Sequence, residues 1–183
     1  NKGRVFRLNA YEIPEGKRQA KGTAIVNLLQ LGPNEKIATL LAIDEKDDNK
    51  YLLLATKNGI VKKTDREESK NINKAGLIAI GLREDDELIG VKVTDGNKDV
   101  LLVTKEGMSI RFDENDIRSM GRSAMGVKGI TLSNDDKVVS MSLCEEGTDV
   151  LVVSENGFGK RTDINEYRTQ IRAGKGIKQV NRG

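Results

Sequence analysis

Three arginines stand four residues ahead of a glycine, and the spacing recurs along the chain. The pairs are Arg18 with Gly22, Arg122 with Gly126, and Arg172 with Gly176. A guanidinium group beside a glycine turn suits phosphate binding, because the turn brings backbone N–H groups close to the anion while the arginine adds charge. The pattern therefore indicates anion binding, although each glycine is also an ordinary turn residue.

Another set of glycines marks a unit that repeats about every fifty residues. Gly3, Gly59, Gly107 and Gly157 are separated by 56, 48 and 50 positions, and a cation follows each after four residues: Arg7, Lys63, Arg111 and Arg161. The other glycines, Gly22, Gly76, Gly126 and Gly176, come 19, 17, 19 and 19 residues after their partners. Repetition at this period is typical of solenoids and propellers. We expect four repeats, at residues 1–48, 49–97, 98–147 and 148–183.

The elements that would position these groups are short strands. The runs YLLLAT (51–56), VLLVT (100–104) and VLVVS (150–154) lead directly into a glycine turn. Short apolar runs rich in β-branched residues predict central strands, and the N-G and E-G turns predict hairpins. Further strands are expected at residues 36–43, 77–82, 87–93, 126–132 and 137–143. The predicted fold is all-β, a propeller-like array of four-stranded blades.

Charge is sorted within each repeat, although the formal net charge is only +3. Acidic residues collect in the connections: Asp44, Glu45, Asp47, Asp48, residues 84–87, Asp135, Asp136, Glu145 and Glu146. Basic residues collect on the strand after each first-set glycine (Gly3, Gly59, Gly107 and Gly157) and in the loop around each second-set glycine (Gly22, Gly76, Gly126 and Gly176), and we predict that these bind DNA: Arg4, Arg7, Lys17, Arg18, Lys21, Lys62, Lys63, Lys74, Arg111, Arg122, Lys128, Lys160, Arg161, Arg172 and Lys175.

Equivalent positions of a radial array lie at equivalent places, so the recurring cations predict one positive stripe. Because side chains alternate along a strand, Arg7, Lys63, Arg111 and Arg161 are expected on one solvent-facing side. For a single cation, an exposed strand face that discourages aggregation is the commoner explanation. For the whole set, the recurrence of one sign favours binding along a nucleic-acid backbone.

Several function classes lack the residues they need. The chain has no histidine and one cysteine, Cys144, which we expect to be packed rather than reactive. No nucleotide-binding G-x-x-x-x-G-K-[ST] motif and no recurring carboxylate pair is present. We expect no catalytic residue, metal, cofactor or small-molecule substrate. No signal peptide or membrane-spanning run is seen, so a cytoplasmic protein is expected, and the start at Asn1 suggests a piece of a longer one.

Three stretches resemble the C-terminal domain of bacterial DNA gyrase A: YEIPEGKRQAKGTAIVNLLQL (11–31), IRSMGRSAMGVKGI (117–130) and NGFGKRTDINEYRTQIRAGKG (156–176). The resemblance covers essentially the whole chain, and the equivalent domain of topoisomerase IV is a weaker match. It implies a β-pinwheel, an incomplete ring or spiral of strand-exchanging blades with duplex DNA wrapped around a basic rim. The implied role is support of negative supercoiling in the bacterial cytoplasm, at the nucleoid.

The same resemblance implies partners and a loop motif. The partners are double-stranded DNA, the rest of gyrase A, and gyrase B, with the strand-cutting tyrosine and the ATPase outside this chain. The family's hallmark box reads QRRGGKG, and its nearest match here is QIRAGKG (170–176). Gln170, Arg172, Gly174, Lys175 and Gly176 fit the box, whereas Ile171 and Ala173 depart from it. The alternative function is a protein-interaction propeller that binds through a face or its central channel.

Overall fold

The structure is a computed structural model that describes residues 1–43, 48–69, 72 and 76–178. Within these ranges the chain forms twelve β-strands, five 3-10 helices and no α-helix. The strands are β1 (Arg4–Val5), β2 (Tyr51–Thr56), β3 (Ile60–Asp65), β4 (Leu77–Ile78), β5 (Leu88–Thr94), β6 (Asp99–Thr104), β7 (Met108–Asp113), β8 (Val127–Lys128), β9 (Val138–Cys144), β10 (Asp149–Val153), β11 (Gly159–Asp163) and β12 (Ile177–Lys178). The 3-10 helices are Ala10–Glu12, Ile25–Asn27, Arg66–Ser69, Glu114–Asp116 and Ile164–Glu166. The predicted all-β class is confirmed.

Each predicted apolar run before a glycine turn forms the first strand of a hairpin. The hairpins are β2–β3, β6–β7 and β10–β11, all antiparallel. A hydroxyl at the end of the first strand closes each turn: Thr56 Oγ1 accepts from the Ile60 N–H, Thr104 Oγ1 from the Met108 N–H and Ser154 Oγ from the Phe158 N–H, each at 3.2 Å. The turn is thus fixed by residues that belong to the repeat itself.

The complete sheets contain strands from two repeats. One sheet has the order β5-β2-β3-β8 and the other the order β9-β6-β7-β12. β8 comes from the repeat after the one that supplies β2, β3 and β5, and β12 is exchanged in the same way. β4 pairs with β1 of the preceding repeat. The exchange of an outer strand between neighbouring repeats confirms the β-pinwheel architecture.

The main core lies between the two complete sheets. Its buried members include Leu53 and Val61 from one sheet, Leu102 and Phe112 from the other, and Ile130, which follows β8. Because a repeat covers each face of β2, its residues form a continuous apolar run instead of alternating with polar ones. The edge strands β5 and β9 contact each other. The opposite edges, formed by β8 and β12, therefore lie on the outside of the array and are called here the outer edge.

Residues 36–43 were predicted to form a strand, and this prediction is wrong. The equivalent strands β5 and β9 pair with β2 and β6, whereas no strand of the described residues pairs with residues 36–43. A strand without a ladder partner leaves its backbone groups unpaired, so the segment stays irregular. The runs at 77–82 and 126–132 form strands of only two residues, β4 and β8.

The array is open within the part of the chain that the structure describes. The first sheet, β1–β4, and the last, β10–β11, hold two strands each and do not pair with one another. Leu151 of β10 is 67% exposed, whereas the equivalent Leu101 of β6 is 1% exposed. The last hairpin therefore lacks the neighbours that cover β6 and β7. The predicted DNA-binding residue Lys74 and the acidic residues Asp44, Glu45 and Asp47 lie outside the described residues.

Candidate nucleic-acid interface

The glycines that follow the arginines make strand exchange possible. Gly126 and Gly176 have φ angles of 92° and 76°, in the left-handed region. A Cβ atom on Gly126 would lie 2.5 Å from the carbonyl oxygen of Val61, and one on Gly176 would lie 2.5 Å from that of Ser109. Only a glycine can adopt this conformation with the neighbouring strand so close. The glycines therefore seat β8 and β12 against the preceding repeat.

The cations four residues after the turn glycine do not form a solvent-facing stripe, and that prediction is wrong. Lys63 is only 5% exposed, with Nζ 3.7 Å from the Glu114 carboxylate. Arg111 is half-buried, and its Nε donates to Asp99 at 2.7 Å. Arg161 is exposed and pairs with Asp149 at 3.0 Å. Because β3 and β7 are inner strands, their side chains meet the next repeat instead of water.

Lys62 was also predicted to bind DNA, but it is fully buried. Its Nζ donates to the carbonyl oxygens of Ala79, at 2.7 Å, and Arg122. Loss of hydration on burial lowers the pKa of Lys62 from 10.5 to about 8, and the nearby Glu68 carboxylate opposes this shift. An ammonium group held by two carbonyls inside the protein cannot reach a phosphate, so Lys62 joins segments of two repeats instead.

Most of the remaining predicted cations are exposed. They are Arg7, Lys17, Arg18, Lys21, Arg122, Lys128, Lys160, Arg161 and Lys175. Arg4 is partly buried against Glu35, with a 2.8 Å contact between Nη1 and Oε2, and its guanidinium lies over the Phe6 ring. Lys128 belongs to β8 and therefore lies on the outer edge. The exposed set thus includes every predicted cation of the irregular first repeat from Arg7 onward.

Sequence reasoning missed Lys178, which is exposed on β12. Lys128 and Lys178 both stand two residues after a second-set glycine, and both belong to the outer strand of a complete sheet. The shared spacing was the signal that could have identified Lys178. Arg118 and Arg168, each eight residues before such a glycine, form a further exposed pair outside the predicted set. Exposed cations therefore recur at equivalent positions of successive repeats, and the predicted set included only some of them.

The box-like loop at residues 170–176 is anchored to the preceding repeat. The Gln170 N–H donates to the Arg111 carbonyl at 2.7 Å, and the Thr131 N–H donates to the Gly174 carbonyl at 2.8 Å. Arg172 Nε donates to the Asp116 carbonyl at 3.3 Å, and its Nη1 donates to the Lys128 carbonyl. Arg172 therefore anchors the loop, while Lys175 is left exposed. Equivalent bonding occurs one repeat earlier, where the Gly81 N–H donates to the Ala124 carbonyl at 3.1 Å.

Two acidic residues of the connections between strands stabilise hairpin turns. Asp86 Oδ1 accepts from the Asn58 N–H at 3.0 Å, and Asp136 Oδ1 accepts from the Glu106 N–H at the same distance. Both aspartates are buried. They hold the hairpin turns by charge-assisted hydrogen bonds.

The single thiol is unsuited to nucleophilic chemistry. Cys144 is buried, and loss of hydration raises the pKa of its thiol to about 11, so thiolate is scarce at neutral pH. In the ranges that the structure covers, no group of three or more His, Cys, Asp or Glu side chains could hold a metal ion. No helix within those same ranges is long and apolar enough to cross a membrane.

Solved structures similar to this chain share its architecture. The crystal structure of the C-terminal domain of DNA topoisomerase IV matches with a TM-score of 0.87 and 31% identity, over 97% of this chain and 56% of that chain. The structure of the DNA gyrase A C-terminal domain matches with a TM-score of 0.82 and 30% identity, over 97% of this chain and 57% of that chain.

The sequence comparisons are more specific. DNA gyrase A of Clostridium acetobutylicum is 56% identical over 129 residues, which make up 70% of this chain and 16% of that protein. The chain thus matches only about a sixth of the length of this relative. A family model described as the DNA gyrase C-terminal domain, a β-propeller, matches residues 1–44, 50–95, 98–145 and 148–178. The chain belongs to the DNA gyrase C-terminal domain family.

Proposed function

We propose that this chain binds and wraps duplex DNA as part of a DNA gyrase A protein and so supports negative supercoiling. Membership of the gyrase C-terminal domain family and 56% identity to a DNA gyrase A support this role. The domain acts without catalysing a reaction and without a cofactor of its own. Its partners are DNA, the rest of gyrase A, and gyrase B, and its place is the bacterial cytoplasm, at the nucleoid.

The observation that carries the proposal is the recurrence of exposed lysines on the outer edge. Lys128 and Lys178 stand at the same position of neighbouring outer strands, and Arg122 and Lys175 lie in the loops that precede those strands. Cations that recur once per repeat can neutralise phosphates at successive points along a duplex. Contacts of this kind position DNA without reading its sequence.

The residues proposed to contact DNA are basic residues whose side chains are exposed. It comprises Arg7, Lys17, Arg18, Lys21, Arg122, Lys128, Lys160, Arg161, Lys175 and Lys178. Lys62, Lys63 and Arg111 are left out because they are buried or bonded within the protein, and Arg172 serves as an anchor. We also propose that the four sequence repeats, 1–48, 49–97, 98–147 and 148–183, are the units that present these cations in turn.

A charge-reversal experiment tests the proposal. Lys128→Glu combined with Lys178→Glu places two acids on the outer edge, whereas Lys92→Glu places one on β5, at the opposite edge of the sheet. In gel-shift titrations with a linear duplex, we expect the double variant to weaken binding at least tenfold, and Lys92→Glu to weaken it much less. Equal affinity of the double variant and the unmodified chain would favour a protein-interaction scaffold instead.

The equivalent domain of topoisomerase IV is the second candidate, because the topoisomerase IV structure gives the TM-score of 0.87. Overall shape does not separate the two enzymes, since the gyrase A domain gives 0.82 at nearly the same identity. The 56% identity to a DNA gyrase A favours gyrase. Wrapping by this chain is tested directly: when bound to relaxed circular DNA and treated with a nicking-closing enzyme, a wrapping domain leaves a change of linking number. DNA that is bound without wrapping keeps its original linking number.

A further inference from the structure

The cation four residues after the turn glycine contacts the following repeat at two successive junctions. Lys63 Nζ donates to the carbonyl oxygen of Glu114 at 3.1 Å, and Arg111 Nη1 donates to that of Ile164 at 3.0 Å. Glu114 and Ile164 are the first residues of the 3-10 helices Glu114–Asp116 and Ile164–Glu166. A lysine and an arginine therefore perform the same task at the same position of two repeats.

The backbone carbonyls of Lys63 and Arg111 each accept a hydrogen bond from a second residue of the following repeat. The Met120 N–H donates to the Lys63 carbonyl at 2.9 Å, and the Gln170 N–H donates to the Arg111 carbonyl at 2.7 Å. At the second junction, Asp99 also joins the two repeats, because it accepts from Arg111 Nε at 2.7 Å and from Thr169 Oγ1 at 3.1 Å. Segments 114–120 and 164–170 are thus fixed at both ends by one residue of the preceding repeat.

Each fixed segment leads directly into a loop of the outer edge. Arg122 follows Met120 by two residues, and Lys175 follows Gln170 by five. We infer that Lys63 and Arg111 are positioning residues: each sets the place at which the following repeat presents its exposed cations to DNA. This inference rests on the proposed function, and it assigns to these two cations a role that does not involve contact with phosphate.

The side-chain exposure of the cations four residues after a turn glycine agrees with this role. The side chains of Lys63, Arg111 and Arg161 are 6%, 19% and 76% exposed. Arg161, for which no contact with a following repeat is described in residues 1–178, faces water, as does Arg7 of the irregular first repeat. Lys63 and Arg111 each have a carboxylate partner, and a buried, neutralised cation adds little to the potential that phosphates experience. Their recurrence is therefore better explained by positioning than by attraction.

Substitutions at Arg111 test the inference. Arg111→Lys keeps the charge and can hold one carbonyl as Lys63 does, but it cannot reproduce the planar fork. Arg111→Met removes every side-chain hydrogen bond of residue 111, and Arg111→Met combined with Asp99→Asn also removes the carboxylate left without its partner. Lys105→Met is the control, because it removes one positive charge from an exposed position of the β6–β7 turn. Amide hydrogen exchange of residues 164–172 is measured without DNA, and the dissociation constant is then measured with a linear duplex.

We expect exchange in residues 164–172 to increase in the order unmodified chain, Arg111→Lys, Arg111→Met, while β6 stays protected. The dissociation constant should rise about threefold in Arg111→Lys and about tenfold in Arg111→Met and the double variant, with Lys105→Met unchanged. Unchanged exchange, or altered exchange with unaltered affinity, would overturn the inference. If Arg111→Lys binds DNA like the unmodified chain although its residues 164–172 exchange as fast as those of Arg111→Met, charge alone explains the effect and positioning is excluded.

The two hypotheses fail differently. If the unmodified chain does not bind duplex DNA, the proposed function fails, and the exchange measurement still decides whether Arg111 orders the following loop. If the chain binds DNA and the Arg111 variants bind equally well, only the positioning role fails.

Discussion

Lys62 and Lys160 occupy the same position of two repeats, three residues after the turn glycine, and differ only in what surrounds them. Lys62 is covered on both sides and donates to two carbonyls, whereas Lys160 is exposed. Residue type and spacing are identical, so the sequence predicted one role for both. The difference depends on Ala79, which comes seventeen positions later in the same repeat, and on Arg122 of the next repeat, and the local sequence specifies neither contact.

The lowered pKa of Lys62 predicts how stability depends on pH. Between about pH 8 and pH 10.5 the unfolded chain binds a proton at Lys62 that the folded chain has lost. The free energy of unfolding therefore gains a contribution that rises with pH over this window. We expect the unmodified chain to gain stability relative to Lys62→Met when urea unfolding at about pH 7 is compared with unfolding at about pH 9.5.

Lys160→Met is the control for this measurement. Because Lys160 is exposed, the gap in unfolding free energy between this variant and the unmodified chain should stay constant over the same pH range. A constant gap for Lys62→Met as well would mean that the Lys62 ammonium is not buried in solution.

At the scale of the strand, the sequence predicted the local hairpins but not the pairing of the short outer strands that are exchanged between repeats. The runs 51–56, 100–104 and 150–154 became β2, β6 and β10, because apolar character and a glycine turn define a hairpin within about fifteen residues. β8 pairs with β3 across more than sixty positions, and each of these outer strands has only two paired residues. No periodicity can be read from two residues, so the partner of β8 follows only from the fold.

Gly126→Ala tests the exchange itself. The new Cβ would meet the Val61 carbonyl at 2.5 Å, and the left-handed φ would be strained as well. Gly22→Ala is a matched control, because Gly22 has a φ of 73° and a Cβ added there would have no atom within 4 Å. Strain alone should cost about 1 to 2 kcal/mol at Gly22, and strain with the clash should cost about 3 to 5 kcal/mol at Gly126. Urea unfolding measures both, and equal losses would contradict the close approach of β8 to β3.

At the scale of the whole molecule, the fold redistributes a nearly balanced charge. The chain carries 31 basic and 28 acidic residues, yet buried Asp86 and Asp136 close hairpin turns and buried Glu114 joins two repeats. The sequence predicted a recurring positive feature on the strands after the first-set glycines, among them β3, β7 and β11, and on the loops around the second-set glycines. The structure buries or pairs the cations of β3 and β7, because the next repeat covers these strands, and leaves exposed those of β11, the outer edge and the loops before the outer edge.

This distribution predicts how DNA binding depends on salt. If the outer edge neutralises about six to ten phosphates, the association constant should fall by about 10³ to 10⁵ between 50 and 200 mM salt. Each lysine that contacts a phosphate contributes about 0.9 to the slope of log K against log salt, so Lys128→Gln with Lys178→Gln should flatten the slope by about 1.8. Lys92→Gln, on β5 across the sheet from Lys128, should leave the slope unchanged. Filter binding at a series of salt concentrations measures all three slopes, and equal flattening by Lys92→Gln would show that DNA responds to net charge and not to a track along β8 and β12.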